Sequence, residues 1–155
     1  MLCRAGGVSR GCYAEYVSVC EDGIVIEPAR ITFEEAAAVP VAAFTALQGL
    51  RDKGQIQAGQ NILINGASGG VGTFAVQIAK SFGAEVTGVC STRNLEMVRS
   101  IGADHVIDYT KEDFTHNRQC YDLFLDAVGN RSLSDCMRLL SSDGIYVAVA
   151  GSIPR

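Results

Sequence analysis

The chain has 155 residues, of which 48% are hydrophobic and 19% charged, and its formal net charge is −4. These values exclude a disordered chain, and no basic run or stripe is present, which argues against a nucleic acid partner. The longest apolar run, residues 36–44, is too short to cross a membrane, so we expect no membrane association.

The first thirty residues predict two short strands. Residues 12–19 alternate between two sets of side chains in the manner of a strand, and residues 24–26 predict a second strand. Two strands do not form a stable unit alone, so we expect them to pack on other parts of the protein.

Helices are predicted next along the chain. Thr32 and Glu35 have the spacing of a capping box ahead of an alanine-rich segment. We expect Pro40 to interrupt that helix, because proline lacks the backbone N–H that a helix interior requires. A second helix is predicted over residues 41–52.

Residues 62–72, with the sequence ILINGASGGVG, are the most informative stretch. An apolar strand runs into a cluster of glycines, and an amphipathic helix follows at once, which is the order of a dinucleotide-binding turn. The strict pattern places glycine at positions 67, 69 and 72, and here position 67 is alanine. A strand–helix turn without a ligand is the alternative. The cofactor-binding residues predicted in this turn are Ala67, Ser68, Gly69, Gly70, Val71 and Gly72.

Strands and helices then alternate to the end of the chain. Such alternation predicts βαβ units, and the fold class is an α/β, Rossmann-type doubly wound parallel sheet of about five strands with order 3-2-1-4-5. The predicted helices are residues 70–82, 94–101 and 132–140. After the first strand at residues 62–64, the predicted strands are residues 85–90, 105–107, 121–126 and 145–149, and a turn at Gly144 is predicted before the last of them. The last strand is predicted at a sheet edge, covered by a partner chain or by residues 1–30.

The end of the second predicted strand indicates which dinucleotide is bound. An acidic residue about 20 positions beyond the glycine turn would hold the ribose 2′-hydroxyl of NAD, whereas this chain has Ser91, Thr92 and Arg93 there. Hydroxyl and guanidinium donors suit a 2′-phosphate, which predicts NADP(H) rather than NAD. The alternative is that Arg93 is simply a solvated residue near a helix start.

Cysteines and histidines give no sign of a metal site. Six cysteines lie at positions 3, 12, 20, 90, 120 and 136 with no CxxC spacing, and no secretory signal precedes them. We therefore predict reduced thiols in a cytoplasmic protein. His105 and His116 have no ligand partner at metal spacing, and we assign both as structural or solvated.

Several motifs in order resemble one family. GCYAEYV, EEAAAVPVAAFTA, NGASGGVG, SIGADHVIDY and LDAVG occur with plausible gaps between residues 11 and 151. The chain resembles the medium-chain dehydrogenase/reductase superfamily, and within it the zinc-independent quinone oxidoreductases related to zeta-crystallin. The resemblance implies that residues 1–30 are a remnant of a barrel-like catalytic domain. Residues 31–155 are then an NAD(P)-binding domain truncated before its sixth strand.

The resemblance also implies roles for further residues. Thr45 matches a threonine near the nicotinamide, and Tyr109 a residue at the adenosine end, although each could equally be a structural residue. The family uses the loop formed by Asp126, Ala127, Val128 and Gly129 against the cofactor, and a turn or capping role is the alternative for Asp126.

The activity that the resemblance implies is NADPH-dependent reduction of a small quinone, enone or related carbonyl compound. It proceeds by direct hydride transfer without zinc. The family often dimerises through the last strand, which predicts a homo-oligomer. A nucleotide-binding module that holds NADP without turnover is the alternative function.

Overall fold

A computed structural model describes residues 2–3, 15–16, 18, 21, 24–26, 28–117 and 119–149. The chain divides into two compact units, Met1–Phe44 and Thr45–Arg155. Most of the strand predicted over residues 12–19 lies outside the described residues. The assignment of residues 1–30 to a different domain from residues 31–155 stays a prediction.

The first unit contains a small antiparallel ribbon and the start of a long helix. Strand β1, Leu2–Cys3, pairs with β2, Ile24–Val25, which confirms a short strand in the predicted region. Helix α1, Phe33–Leu47, begins with the predicted capping box. Thr32 N donates to Glu35 Oε2 at 2.8 Å and Glu35 N donates to Thr32 Oγ1 at 3.2 Å.

The expected break at Pro40 is wrong. Pro40 lies inside α1, and a π-helical turn, Gln48–Lys53, follows directly. Alanine-rich sequence on both sides favours the helix strongly, and an interior proline can be accommodated by a local distortion rather than a chain break.

The second unit is built on a five-stranded sheet in which every pairing is parallel. Its order, β5-β4-β3-β6-β7, confirms the predicted order 3-2-1-4-5. The strands are β3 (Asn61–Asn65), β4 (Glu85–Cys90), β5 (His105–Asp108), β6 (Tyr121–Asp126) and β7 (Leu140–Ala148). The first strand in the chain order of this sheet is therefore its centre.

Helices follow the first, second and fourth of these strands. They are α2 (Gly70–Ser81), α3 (Leu95–Ser100), which follows the 3-10 turn Thr92–Asn94, and α4 (Leu133–Met137). A further 3-10 turn, Phe114–His116, lies between β5 and β6. None of the helices in the described ranges is long and apolar enough to cross a membrane.

The last helix and strand differ from their predicted bounds. Helix α4 ends at Met137 rather than near residue 140, and β7 begins at Leu140 and continues through Gly144, where a turn was expected. The pairing of β6 with β7 changes register between Tyr121 and Leu123. A Cβ at Gly144 would lie 2.8 Å from Tyr121 O, so this glycine permits a close backbone approach within an irregular strand.

Alternate side chains of the central strand enter two different cores. Ile62 and Ile64 belong to one apolar cluster and Leu63 to the other, and all three are fully buried. Residues of α2, including Ala75 and Val76, complete the first cluster. A strand buried on both faces is typical of a doubly wound parallel sheet, and it fixes the turn after β3 firmly in place.

Candidate functional site

The glycine turn joins the centre of the sheet to α2, and two of its glycines are required by the backbone itself. Gly66 has φ +82°, in the left-handed region that favours glycine. A Cβ on Gly72 would lie 2.0 Å from Gly66 O and 2.7 Å from Ala67 Cα. The helix therefore lies directly against the turn, as the third glycine of a dinucleotide fingerprint allows.

Position 69 is different, because the space beside it is open. Gly69 precedes the helix in an extended conformation, φ −84° and ψ 175°, and is exposed. Of the atoms that the structure describes, a Cβ there would meet only Gly66 O, at 3.3 Å. The fold thus requires Gly72 for packing, whereas at Gly69 the missing side chain leaves room for a ligand.

The N-terminus of α2 has donors without acceptors. No side chain in the described part of the chain caps the helix, and Thr73 N donates to Gly69 O at 2.9 Å. None of the described residues accepts a hydrogen bond from the N–H groups of Gly70, Val71 and Gly72. Three such groups at the positive end of a twelve-residue helix suit an anion, most of all a phosphate.

A cleft of about 470 Å³ opens at this turn, at the carboxyl ends of the strands. It brings together eight of the fifteen predicted site residues: Ser68, Gly69, Gly70, Val71, Gly72, Tyr109, Ala127 and Val128. Six further lining residues were not predicted: Asn65, Gly66, Val89, Cys90, Phe114 and Asn130. Three of these six, Gly66, Cys90 and Asn130, directly precede or follow a predicted residue, so proximity along the chain would have indicated them.

The side chain of Ala67 packs in the protein core and does not line the cleft, and its predicted contact with the cofactor stays a prediction. Its side chain is fully buried, and a Cβ on Gly88 would lie 3.0 Å from Ala67 Cβ, so the methyl group faces β4. Ala67 N donates to Val89 O at 3.0 Å. An alanine fits here because its methyl packs on the neighbouring strand, which explains the relaxed glycine pattern.

Hydrogen bonds from Asn94 connect the loop after β4 to the glycine turn. Its Nδ2 donates to Ser68 Oγ at 3.1 Å and to Ser91 Oγ at 3.2 Å. Asn94 is not among the predicted site residues, although an asparagine beside a helix start is a recognisable hydrogen-bonding signal. The bridge places Ser91 close to the turn, although the loop itself does not line the cleft.

Thr92 donates its hydroxyl proton to a protein carboxylate, whereas the sequence predicted it as a donor to a 2′-phosphate. Thr92 Oγ1 makes a short hydrogen bond to Asp108 Oδ2, and Thr110 Oγ1 donates to Asp108 Oδ1 at 2.7 Å. The hydrogen bond from Thr92, followed by those from Thr110 and the charge of Lys111, lowers the pKa of Asp108 to about 2 despite its burial. At neutral pH this carboxylate is ionised and holds both hydroxyl protons.

Arg93 and Tyr109 remain available to a ligand. Arg93 is exposed and makes no hydrogen bond or ion pair with any residue in the described ranges. Tyr109 is 53% exposed, lines the cleft, and its backbone N–H donates to Cys90 O at 3.1 Å. Tyr109 therefore lies at the cleft itself, whereas Arg93 is exposed but is not among the lining residues.

Asp126 is fully enclosed by protein donors, so its carboxylate does not face the cleft. Its Oδ1 accepts hydrogen bonds from Asn65 Nδ2 at 3.0 Å, Val128 N at 3.0 Å and Gly129 N at 2.9 Å. Its Oδ2 accepts one from Tyr146 at 2.8 Å, and the residue is 0% exposed. These hydrogen bonds shape the loop, in keeping with the turn alternative, and a contact of Asp126 with the cofactor stays a prediction. Burial and this partner raise the pKa of Tyr146.

Thr45 and Gly129 are not among the residues that line the cleft. The nicotinamide contact that the resemblance implied for Thr45 stays a prediction. Among the described residues, no group of three or more histidine, cysteine or acidic side chains is placed to hold a metal ion. His105 Nε2 instead contacts Glu85 Oε1 at 2.9 Å, at the exposed start of β5.

A second cavity, of about 520 Å³, is lined by residues 107, 112–114, 116 and 117 and shares only Phe114 with the cleft. It is slightly larger, but it includes no part of the glycine turn. Unpaired N–H donors and open space at Gly69, rather than volume, therefore identify the cleft as the candidate site.

A doubly wound parallel sheet with a glycine turn at its central strand defines a Rossmann-type domain. The family model described as zinc-binding dehydrogenase matches residues 70–154, more than half of the chain. The chain therefore belongs to that family, within the medium-chain dehydrogenase/reductase superfamily, as the motifs predicted.

Two curated relatives and one solved structure illustrate the similarity. The chain is 39% identical over 145 residues to 2-methylene-furan-3-one reductase of Solanum lycopersicum, covering 92% of this chain and 37% of that protein. The chloroplastic NADPH-dependent alkenal/one oxidoreductase of Arabidopsis thaliana gives the same identity and coverages. The quinone oxidoreductase of Thermus thermophilus, solved also with NADPH, is 31% identical with TM-score 0.82, covering 95% of this chain and 50% of that one.

The similarity extends over only part of each relative. The chain spans well under half the length of the two curated relatives, so it corresponds to only part of each. A chloroplastic relative is among them, and the cytoplasmic location accordingly stays a prediction.

Proposed function

We propose that this chain binds NADP(H) in the cleft and is the cofactor-binding part of a reductase of enones, quinones or related carbonyl compounds. The observation that carries the proposal is the set of unpaired N–H groups of Gly70, Val71 and Gly72, which open onto the cleft. Phosphate is the anion that such a helix terminus binds in dinucleotide sites.

The residues present fit a dinucleotide. The pyrophosphate would be held by the N–H groups at the start of α2, and the open position at Gly69 would let it approach the backbone. The 2′-phosphate would be held by Arg93 and by the hydroxyl of Ser91, with Tyr109 at the adenosine end. Arg93 supports NADP over NAD because its guanidinium, free among the described residues, is the kind of donor that binds phosphate.

NADPH supplies a hydride when bound, so the protein needs no nucleophile of its own. The names of the relatives, an alkenal/one oxidoreductase and a furanone reductase, support an activated alkene or carbonyl compound as substrate. Reaction without zinc follows from the predicted branch of the superfamily. The role of this chain is then to bind and orient the cofactor over the strand ends.

A binding module without turnover is the second candidate. The chain corresponds to 37% of the length of the two reductases, which favours the view that substrate-contacting residues belong to other segments. A homo-oligomer through the edge strand β7 also stays a proposal, which light scattering would test.

Calorimetric titration with NADPH and NADH tests the cofactor assignment. Arg93→Ala removes a charged donor, and a hydrogen bond to a charged group is worth about 1.5–3 kcal/mol. We expect NADPH affinity to fall about ten- to a hundredfold and NADH affinity to change little. Gly69→Val fills the open position and should weaken both cofactors.

A matched control is Arg99→Ala, which removes the same charge from the exposed side of α3, where Arg99 pairs with Glu96 at 2.6 Å. It should leave both affinities unchanged. Equal weakening of NADH and NADPH by Arg93→Ala would refute the 2′-phosphate assignment. Incubation with NADPH and a panel of small quinones, followed by the absorbance of the reduced nicotinamide, separates a reductase from a binding module.

A further inference from the structure

Asp108 occupies an unusual position beside the proposed 2′-phosphate site. It ends β5 and is 6% exposed, and its carboxylate accepts hydrogen bonds from the hydroxyls of Thr92 and Thr110. Thr110 N also donates to Oδ1, at 3.0 Å. The buried charge is therefore one hydrogen bond away from the loop that is proposed to receive the phosphate.

This arrangement occupies the hydroxyl protons of Thr92, in that loop, and of Thr110, which follows β5. Each threonine has a single hydroxyl proton, and both protons are directed at the carboxylate, although the two Oγ1 atoms lie only 3.0 Å apart. Toward a ligand the two hydroxyls can therefore act only as hydrogen-bond acceptors, whereas an ionised phosphate needs donors. Lys111 Nζ, 3.7 Å from Asp108 Oδ2 and mostly exposed, offsets the charge only in part.

We propose that Asp108 is a specificity-determining residue that weakens NADPH relative to NADH, by turning two hydroxyls inward and by setting a negative charge beside the 2′-phosphate loop. The inference rests on the proposed function and refines it. Arg93 attracts the 2′-phosphate and Asp108 opposes it, so the selectivity of the site is the balance between these two groups.

Asp108→Asn tests the balance with little change of shape. The charge disappears, and the new amide group donates to one threonine, which must then direct its hydroxyl proton elsewhere. A phosphate monoester carries close to two negative charges at neutral pH. Removing one nearby charge across partly screened solvent should strengthen NADPH binding about three- to tenfold, with NADH affinity within about twofold of the parent.

Asp104→Asn is the matched control, because Asp104 precedes the same strand at its opposite end and pairs with Lys80 at 2.8 Å. It removes the same charge and should leave the ratio of the two affinities unchanged. Thr92→Val is a second test that does not require the Asn variant to fold. Because the Thr92 proton is already held by Asp108, NADPH affinity should fall by no more than about twofold, whereas loss of a direct phosphate contact would cost about tenfold.

The outcomes separate the inference from the proposed function. If the parent binds neither dinucleotide, as measured by titration calorimetry, both are overturned. If the parent prefers NADPH but Asp108→Asn leaves the ratio of affinities unchanged, or weakens both cofactors equally, the inference alone is wrong. A tenfold loss of NADPH affinity in Thr92→Val would also overturn it.

Discussion

Gly72→Ala should destabilise the fold even though alanine is the better helix former. The new Cβ would lie 2.0 Å from Gly66 O and 2.7 Å from Ala67 Cα. Both are backbone atoms of the turn, so no rotamer change can relieve the contact. Helix α2 would have to move away from the sheet by about 1 Å to restore ordinary separations.

The magnitude follows from two opposing effects. Alanine gains about 1 kcal/mol over glycine in a helix interior. Overpacking costs typically about 1–3 kcal/mol and occasionally more, and a contact with two backbone atoms places this site at about 3–4 kcal/mol. The displaced helix also loosens the fully buried Ala75, Val76 and Ala79. We expect a net loss of about 2–3 kcal/mol, which for a chain of this length corresponds to about 4–12 °C in Tm.

Thermal unfolding followed by circular dichroism measures the effect, with Gly69→Ala as the matched control. That Cβ meets a single backbone atom at 3.3 Å in an extended conformation, so its Tm should lie within about 3 °C of the parent. A Gly72→Ala variant that melts with the parent would refute the close approach of helix and turn. Because Gly69→Ala should keep the stability of the parent, a change in its cofactor affinity would report a steric effect on the ligand alone.

Three further predictions concern stability. Tyr146→Phe removes the donor to buried Asp126 Oδ2 and should cost about 1.5–3 kcal/mol in a urea titration; no change would mean that the hydrogen bond is absent in solution. Lys80→Met should cost no more than about 1 kcal/mol, because the pair with Asp104 is about one-third exposed on both sides. The pKa of Asp108 is depressed to about 2 from its ordinary 3.8, so its stabilising contribution is present above pH 4 and is lost as the pH falls toward 2. The pH dependence of unfolding in Asp108→Asn should lack that acid-side loss.

The sheet was predictable because its signals are local and repeated. Apolar runs such as residues 62–64, each followed by a helical period, indicate both the strands and their parallel arrangement. The glycine turn after the first strand indicates the dinucleotide-binding fold, and that fold gives the order. The exceptions have physical causes. Pro40 was accommodated within α1 by favourable neighbours, and Gly144 signals a close approach to Tyr121 O rather than a turn.

The site was predictable in position but not in the direction of its side chains. Thr92, Asp126 and Ala67 were predicted at the cofactor, yet each faces a partner on a neighbouring strand or loop. Those partners, including Asp108 and Tyr146, lie 16 and 20 residues away from Thr92 and Asp126 respectively. No local pattern reveals such contacts, because they depend on the register of the assembled sheet.

The central position of β3 has a consequence for how the chain acquires its structure. β3 pairs with β4 after one short crossover, but its other neighbour, β6, lies 61 residues further along, as the contact of Asn65 with Asp126 shows. During synthesis, β3, β4 and β5 can therefore pair before β6 has been made, and one edge of β3 is then unpaired. Ile62 and Ile64, fully buried in the finished domain, then border an open strand edge. Delayed arrival of β6, for instance by slow translation between residues 108 and 121, should favour aggregation of the nascent chain over its folding.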